Sequence, residues 1–481
     1  MNKGSATTAS HAPGPWMAAV LEHMASAPTA IRSFEGDWTG PALLARAAGA
    51  GRLLANYVEP TTVVPALLGT TPTGIALVLG GALNNRPLAP LGTRLSVAEL
   101  VPLVQELGTD LLLADEPTAT MASDVAGAAG VRLVVVDDVP EAEHDLVPTS
   151  PESVVLVMHT SGTTGRPKKV VVRDAAVFAR AHQYRTEMGL GPGDLYCSTG
   201  GFHHTGGVGM LFVAAACGAG LVPFPRFSVE SWRAVAGLGP TCALLVPTMI
   251  DLLLEAHALD AVRLRGLHYG TAPIHPETLR AALDTIPGTE FTQAYGMTEG
   301  GPISILGHAD HVRAAAGEPW LLESVGRILP GVEARFEDPT QDGVGELVVR
   351  ADQIFQPDPD GWLHTGDLGR CDEEGFLYLR GRKGDKIIRG GENILPLEVE
   401  RVLELHREVK EVAVVGVPDR RWGQTLKAFV VAKDPETPPS EVELSRHARA
   451  HLAGFKVPED WVFVAELPRN TAGKLMRSRL S

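Results

Sequence analysis

An α/β fold with largely parallel sheets, followed by a small α+β unit, is what this 481-residue chain predicts. Three observations carry that expectation. From about Val20 to Arg380, β-branched runs alternate with helical patterns, the signature of β-α units. Near Gly381 the texture changes to a charged, glycine-rich stretch, residues 382–393. The length also exceeds what one hydrophobic core ordinarily serves, so two or more domains are expected.

The elements follow in order. Residues 1–15 are small and polar, with one early lysine and no apolar signal core, and read as a flexible leader. The longest apolar stretch, Gly74 to Leu83, is too short and too glycine-interrupted to span a bilayer. Leu133–Val136 reads as a strand. Val154–Met158 and Val170–Val172 read as two strands with a loop between them, and Ala243–Val246 as a strand leading into a helix over Thr248–Ala256. Beyond the junction come an amphipathic helix (Pro396–His406), strands (Val412–Val417, Ala428–Val431), a helix (Ser440–Leu452) and a last strand (Trp461–Val464). The boundary is placed at Arg382–Gly384, giving a domain over 16–382 and a second over 383–481.

Hydrophobic residues make up 44% and charged residues 21%, the profile of a soluble globular protein. A formal net charge of −15 argues against nucleic-acid or membrane-surface partners, and means that an anionic ligand must be drawn in by local positive charge. The four cysteines lie far apart with no metal-ligand spacing, which suits reduced thiols in a cytoplasmic protein.

The run Thr160-Ser161-Gly162-Thr163-Thr164-Gly165-Arg166-Pro167-Lys168 is the most informative in the chain. Small residues leave backbone N–H groups open to an anion, the hydroxyls of Ser161, Thr163 and Thr164 add donors, and Arg166 and Lys168 add charge. The spacing is not that of the P-loop, since Arg-Pro-Lys follows Gly165 and no helix signal comes next. On composition alone, a plain connector is the commoner reading of such a loop.

The order of residues is more specific. Ser-Gly-Thr-Thr-Gly-x-Pro-Lys resembles the phosphate loop of the adenylate-forming enzymes: acyl- and aryl-CoA synthetases, luciferase and the adenylation domains of peptide synthetases. The resemblance implies a large N-terminal domain of β-α sheets with a small β-barrel-like part, plus a small mobile C-terminal domain. It implies that Thr160, Ser161, Gly162, Thr163, Thr164, Gly165 and Lys168 hold phosphates. Tyr269-Gly270-Thr271-Ala272-Pro273 is similar to the loop along the adenine edge, although relatives usually carry Gly or Ala where Thr271 stands. In Thr292-Gln293-Ala294-Tyr295-Gly296-Met297-Thr298-Glu299 the family pattern puts Tyr295 against adenine, Thr298 on phosphate and Glu299 on Mg²⁺; by itself the segment reads as a turn after a strand.

Further stations follow the same order. Trp362-Leu363-His364-Thr365-Gly366-Asp367 resembles the segment whose aspartate accepts from the ribose hydroxyls, and Arg382 falls where the family contacts ribose or phosphate. Gly384 stands at the hinge, where relatives usually carry Asp or Lys. Residues 390–394 look like the loop used in the second half-reaction. Lys474, after Asn470-Thr471-Ala472-Gly473, matches the catalytic lysine. Phe202-His203-His204-Thr205-Gly206-Gly207 aligns with an acyl-pocket gate, which makes one of the two histidines, with His204 as the candidate, a pocket residue. Two adjacent histidines also fit a metal site, but no further ligands stand at a suitable spacing.

The implied activity is ATP- and Mg²⁺-dependent conversion of a small carboxylic acid to an acyl-adenylate, releasing pyrophosphate, then acyl transfer to coenzyme A. Transfer to an amine or a carrier-protein thiol is the alternative. A nucleotide-binding sensor or scaffold is the non-enzymatic one.

Overall fold

The computed structural model describes residues 13–143, 146–160, 168–224, 226–272, 274–390, 392–470 and 473–480. The leader expected over 1–15 therefore lies outside the described residues as far as residue 12. The chain forms two compact units: Met1–Pro302 with Gly307–Ala309 and Ala351–Pro357, and Ile303–Leu306 with Asp310–Arg350 and Asp358–Ser481.

The first unit contains two sheets. One runs Arg132–Val136, Leu111–Asp115, Val64–Leu67, Leu88–Pro90, Val154–Thr160, Lys168–Arg173 in spatial order. All its pairings are parallel except the last, an antiparallel pair in which Thr160 faces Lys168. The other runs Glu290–Met297, Gly266–Gly270, Cys242–Leu245, Leu195–Ser198, Gly220–Val222, Ile31–Ser33, and ends in the antiparallel partner Gly36–Trp38. Its central pairings are parallel. Parallel strands need crossover helices, which cover both faces and explain the unbroken apolar runs in the sequence.

Local chemistry sets the helices. The apolar stretch forms the helix Pro72–Leu83, started by Pro72 and by the Thr71 hydroxyl, which accepts from the Gly74 N–H at 3.0 Å. All its residues except Thr73 are buried, as an all-round apolar helix requires. No helix among the described residues is long and apolar enough to cross a membrane. The buried Asp174 opens the helix Asp174–Met188. Its carboxylate also accepts from the Trp16 N–H at 2.8 Å, the Met17 N–H at 3.2 Å and the Thr149 hydroxyl at 2.9 Å. One carboxylate thus also satisfies the first donors of the helix Pro15–Met24.

The second unit has a four-stranded antiparallel sheet, Glu333–Glu337, Gly345–Arg350, Leu363–Cys371, Leu377–Arg382. A further sheet orders Glu392–Ile394, Ile387–Arg389, Gly423–Ala432 and Val409–Asp419, with Asp460–Phe463 parallel to Gly423–Ala432. The helices Pro396–Glu404 and Glu441–His451 cover it, burying Val399, Leu403, Leu444 and Ala448 against Val412, Val414, Leu426 and Val430. The second helix begins with a capping box between Ser440 and Glu443. All four cysteines are free.

Burial, with Glu400 and Glu411 nearby, pushes the Glu404 carboxyl up from 4.5 to about 7. The folded chain therefore keeps this proton where the unfolded chain has lost it. The associated stability is complete below about 4.5 and disappears as pH rises through about 7. Between these two pH values the urea midpoint of the wild type should fall more steeply than that of Glu404→Gln. Equal slopes would contradict the assignment.

Candidate active site

The order of the larger sheet reverses at the strand Leu195–Ser198: the next strand, Gly220–Val222, lies on one side, and Cys242–Leu245 lies on the other. In open parallel sheets such a reversal leaves a crevice beyond the strands' carboxyl ends. The segments there are 199–209 after Ser198, Thr271 and Ala272 after Gly270, and Thr298 and Glu299 after Met297.

Glycines let these segments approach closely. A side chain on Gly207 would collide with the carbonyls of Gly200 and Gly201, and one on Gly296 would collide with the Gly301 carbonyl. The Gly296 contact shows the chain doubling back. The segment expected as a turn after a strand is therefore mostly strand: Thr292, Gln293, Ala294, Tyr295, Gly296 and Met297 all lie within Glu290–Met297. Parallel pairing holds Ala294 opposite Gly270 and Gln293 opposite Tyr269, which extends the strand further than its composition suggests. Thr292 and Gln293 are buried, and Ala294, Tyr295 and Met297 are half-buried.

Thr298 and Glu299 form the turn itself. The Thr205 hydroxyl donates to the Thr298 hydroxyl at 2.9 Å, tying the segment after His204 to this turn. Arg180, from the helix Asp174–Met188, anchors the other side. Its guanidinium donates to the Thr298 carbonyl at 2.9 Å and the Gln353 carbonyl at 3.2 Å, and lies 3.3 Å from the Phe355 ring centre. The Phe355 N–H in turn donates to the Glu299 carbonyl at 2.7 Å. Burial pushes Arg180 down to about 9, opposed by Tyr184 and by the negative charge of Glu299. The side-chain donors at the turn are all oxygens (Thr205, Thr298, Glu299), a set that suits a hard cation such as Mg²⁺.

His203 and His204 pack ring against ring, 3.9 Å between centres. Burial pushes His203 down to about 3 and His204 down to about 4, with the positive charge of Arg94 adding to both shifts. Thr271 has φ of +69°, a left-handed conformation that strains a β-branched residue and that Gly would adopt freely.

Among the other expected residues, Thr160 and Lys168 face each other across the neck of the Thr/Gly-rich loop. Ser161, Gly162, Thr163, Thr164, Gly165 and Pro273 lie outside the described residues. In the second unit, Asp367 is buried and sits in the strand Leu363–Cys371, opposite Arg382. The Arg382 guanidinium donates to the Asp367 carboxylate at 2.8 Å, so these two expected ribose contacts are already paired with each other. Lys474 is exposed on a tight turn: its N–H donates to the Asn470 side chain at 2.9 Å, and the Asn470 N–H donates to its carbonyl at 2.8 Å.

Arg180 and Arg94 carry no motif and stand outside the set of residues that the sequence singles out, and Thr205 stands in the Phe202–Gly207 motif without a role assigned to it. A signal for Arg180 exists in the helical period, since it follows the buried Ala176 and Val177 by four and three residues. Arg180→Leu would leave the Thr298 and Gln353 carbonyls without their donor. It should lower acid-dependent pyrophosphate–ATP exchange by about ten- to a hundredfold while circular dichroism stays that of a folded chain. Wild-type exchange would remove Arg180 from the site.

Known proteins resemble the chain over most of its length. The family model described as AMP-binding enzyme matches residues 22–357, and the AMP-binding enzyme C-terminal domain matches residues 398–474. A fatty acid–[acyl-carrier-protein] ligase, ScoC, of Streptomyces coeruleorubidus is 32% identical over 84% of this chain and 83% of its own. A 2-succinylbenzoate–CoA ligase of Bacillus cereus is 32% identical over 89% and 86%. A sulfoacetate–CoA ligase of Cupriavidus necator is 34% identical over 71% and 69%. Among solved structures, the amide bond synthetase McbA from Marinactinospora thermotolerans superposes with a TM-score of 0.85 at 27% identity, covering 97% of this chain and 99% of that one. The chain belongs to the AMP-binding enzyme family, the adenylate-forming ligases.

Proposed function

We propose that this protein is an AMP-forming ligase that activates a carboxylic acid with ATP and passes the acyl group to coenzyme A. The observation that carries the reading is the oxygen-lined turn Thr298–Glu299, held by Arg180 and Thr205 at the carboxyl ends of parallel strands, in a chain of this family.

In the first step a carboxylate oxygen attacks the α-phosphorus of ATP. The new bond gives the acyl-adenylate, and the bond to the β-phosphate breaks to release pyrophosphate. Both reactants are anions. Unit charges about 4 Å apart repel by about 4 kcal/mol at an effective dielectric of about 20, so the site must supply positive charge and donors where charge accumulates. In this reading the 160–168 loop holds the β- and γ-phosphates and the Thr298 hydroxyl donates to phosphate. Tyr295 and the Gly270–Pro273 segment line the adenine, and Asp367, oriented by Arg382, accepts from the ribose hydroxyls. Lys474 bridges the carboxylate and the α-phosphate. Mg²⁺ held by Glu299 would neutralise phosphate charge.

In the second step the acceptor sulfur attacks the acyl carbon and AMP leaves. The named relatives include ligases for CoA and for a carrier protein, and a solved relative makes amides, so an amine or a carrier thiol is the second reading for the acceptor. Supplying CoA and amines in turn to enzyme preloaded with an acid distinguishes them. Thioester product supports the first reading, and amide product alone overturns it.

Two substitutions test the division of labour. Lys474→Ala should lower adenylate formation by at least about a hundredfold with ATP affinity nearly kept, since an interaction made chiefly in the transition state is lost. Wild-type-like exchange would take Lys474 out of the mechanism. We further propose Gly384 as the hinge between half-reactions. Gly384→Pro, which fixes φ, should spare adenylation and block transfer. Equal loss of both halves would place the hinge elsewhere.

A further inference from the structure

Acid activation leaves part of the histidine pair unused. The His203 ring is wedged between backbones: a side-chain carbon on Gly92 would lie 3.3 Å from its Cδ2, and one on Gly201 would lie 2.8 Å from its Cε1. It also packs against the His204 ring at an interplanar angle of 45°. The His203 Nε2 atom is buried, with no hydrogen-bond partner among the described residues. A buried ring nitrogen held this tightly and left unsatisfied points to a polar group that arrives with a ligand. The wedge comes from the turn after the strand Leu88–Pro90, in which the Leu95 N–H donates to the Gly92 carbonyl at 3.0 Å. That same turn carries Arg94, exposed, and among the described residues no acid pairs with it.

We propose that Arg94, together with His203 and His204, receives a second anionic group on the acid substrate, so that the enzyme acts on dicarboxylic or sulfonated carboxylic acids. The inference rests on the acid-activating reading above. The imidazoles offer ring N–H groups, and Arg94 supplies the full charge. Thr205, the residue after His204, is tied to Thr298, and Arg94 stands on the turn that follows the strand Leu88–Pro90, which pairs with Val154–Thr160. In a chain with a net charge of −15, a dianionic acid needs such a local cation.

The test is pyrophosphate–ATP exchange by the full chain on matched pairs: hexanoate against adipate, benzoate against phthalate, propionate against sulfoacetate. The proposal expects kcat/KM to favour the doubly acidic member of at least one pair by about tenfold or more. Arg94→Gln should then raise KM for that acid by about ten- to a hundredfold with little change in kcat, and Arg94→Lys should restore part of the loss. Preference for the monoacid in all three pairs, or an equal effect of Arg94→Gln on both members, overturns the proposal and leaves acid activation standing. A defect confined to the transfer step assigns Arg94 to the acceptor and overturns it too. No exchange with any acid, while ATP still binds, removes both readings together.

Discussion

A guanidinium buried behind a β-turn is the constraint on which the site depends. Arg180 is desolvated, and its two hydrogen-bond acceptors are backbone carbonyls rather than a carboxylate. Burying a charge in that way is costly, which is why its ionisation is pulled down so far. The arrangement makes sense through what it holds. One side chain fixes the carbonyl of Thr298 and the segment around Gln353, and the adjacent Phe355 N–H fixes the carbonyl of Glu299. With both carbonyls engaged on that side, the turn is held in place at the crevice with a positive charge behind it.

The same economy of positive charge governs the substrates. An acidic protein that brings together a triphosphate and a carboxylate cannot rely on its overall field, which repels both. It has to concentrate cations and oriented donors at a few points. Under the proposed reading Lys168 at the neck of the loop, Lys474 on its tight turn and Arg382 paired with Asp367 would be such points, each positioned by neighbouring backbone or strand pairing.

Much of this is legible in the residues in order. The β-branched runs on either side of the Thr/Gly-rich loop are two paired strands, because local composition suffices to decide them; the stretch Gly74–Leu83, read only as too short to span a bilayer, is a buried helix. The elements beyond Pro396 follow for the same reason. The segment from Thr292 reads as a turn because Gly296 and the polar residues mimic one; pairing with Gly266–Gly270 makes it a strand. Asp367 similarly lies in an irregular strand pair rather than a free turn, and its partner Arg382 is fifteen residues away in sequence. Arg180 and Thr205 act through contacts made only when distant segments meet, and a linear pattern does not encode those contacts.

The central claim, that the acid attacks the α-phosphorus of ATP, has a direct chemical readout. A substrate acid labelled with ¹⁸O in its carboxyl group is turned over with ATP and acceptor, and the AMP and phosphate products are weighed by mass spectrometry. Attack at the α-phosphorus leaves one labelled oxygen in AMP and none in pyrophosphate. Unlabelled AMP, or label recovered in inorganic phosphate, would mean that the acid is activated by another route.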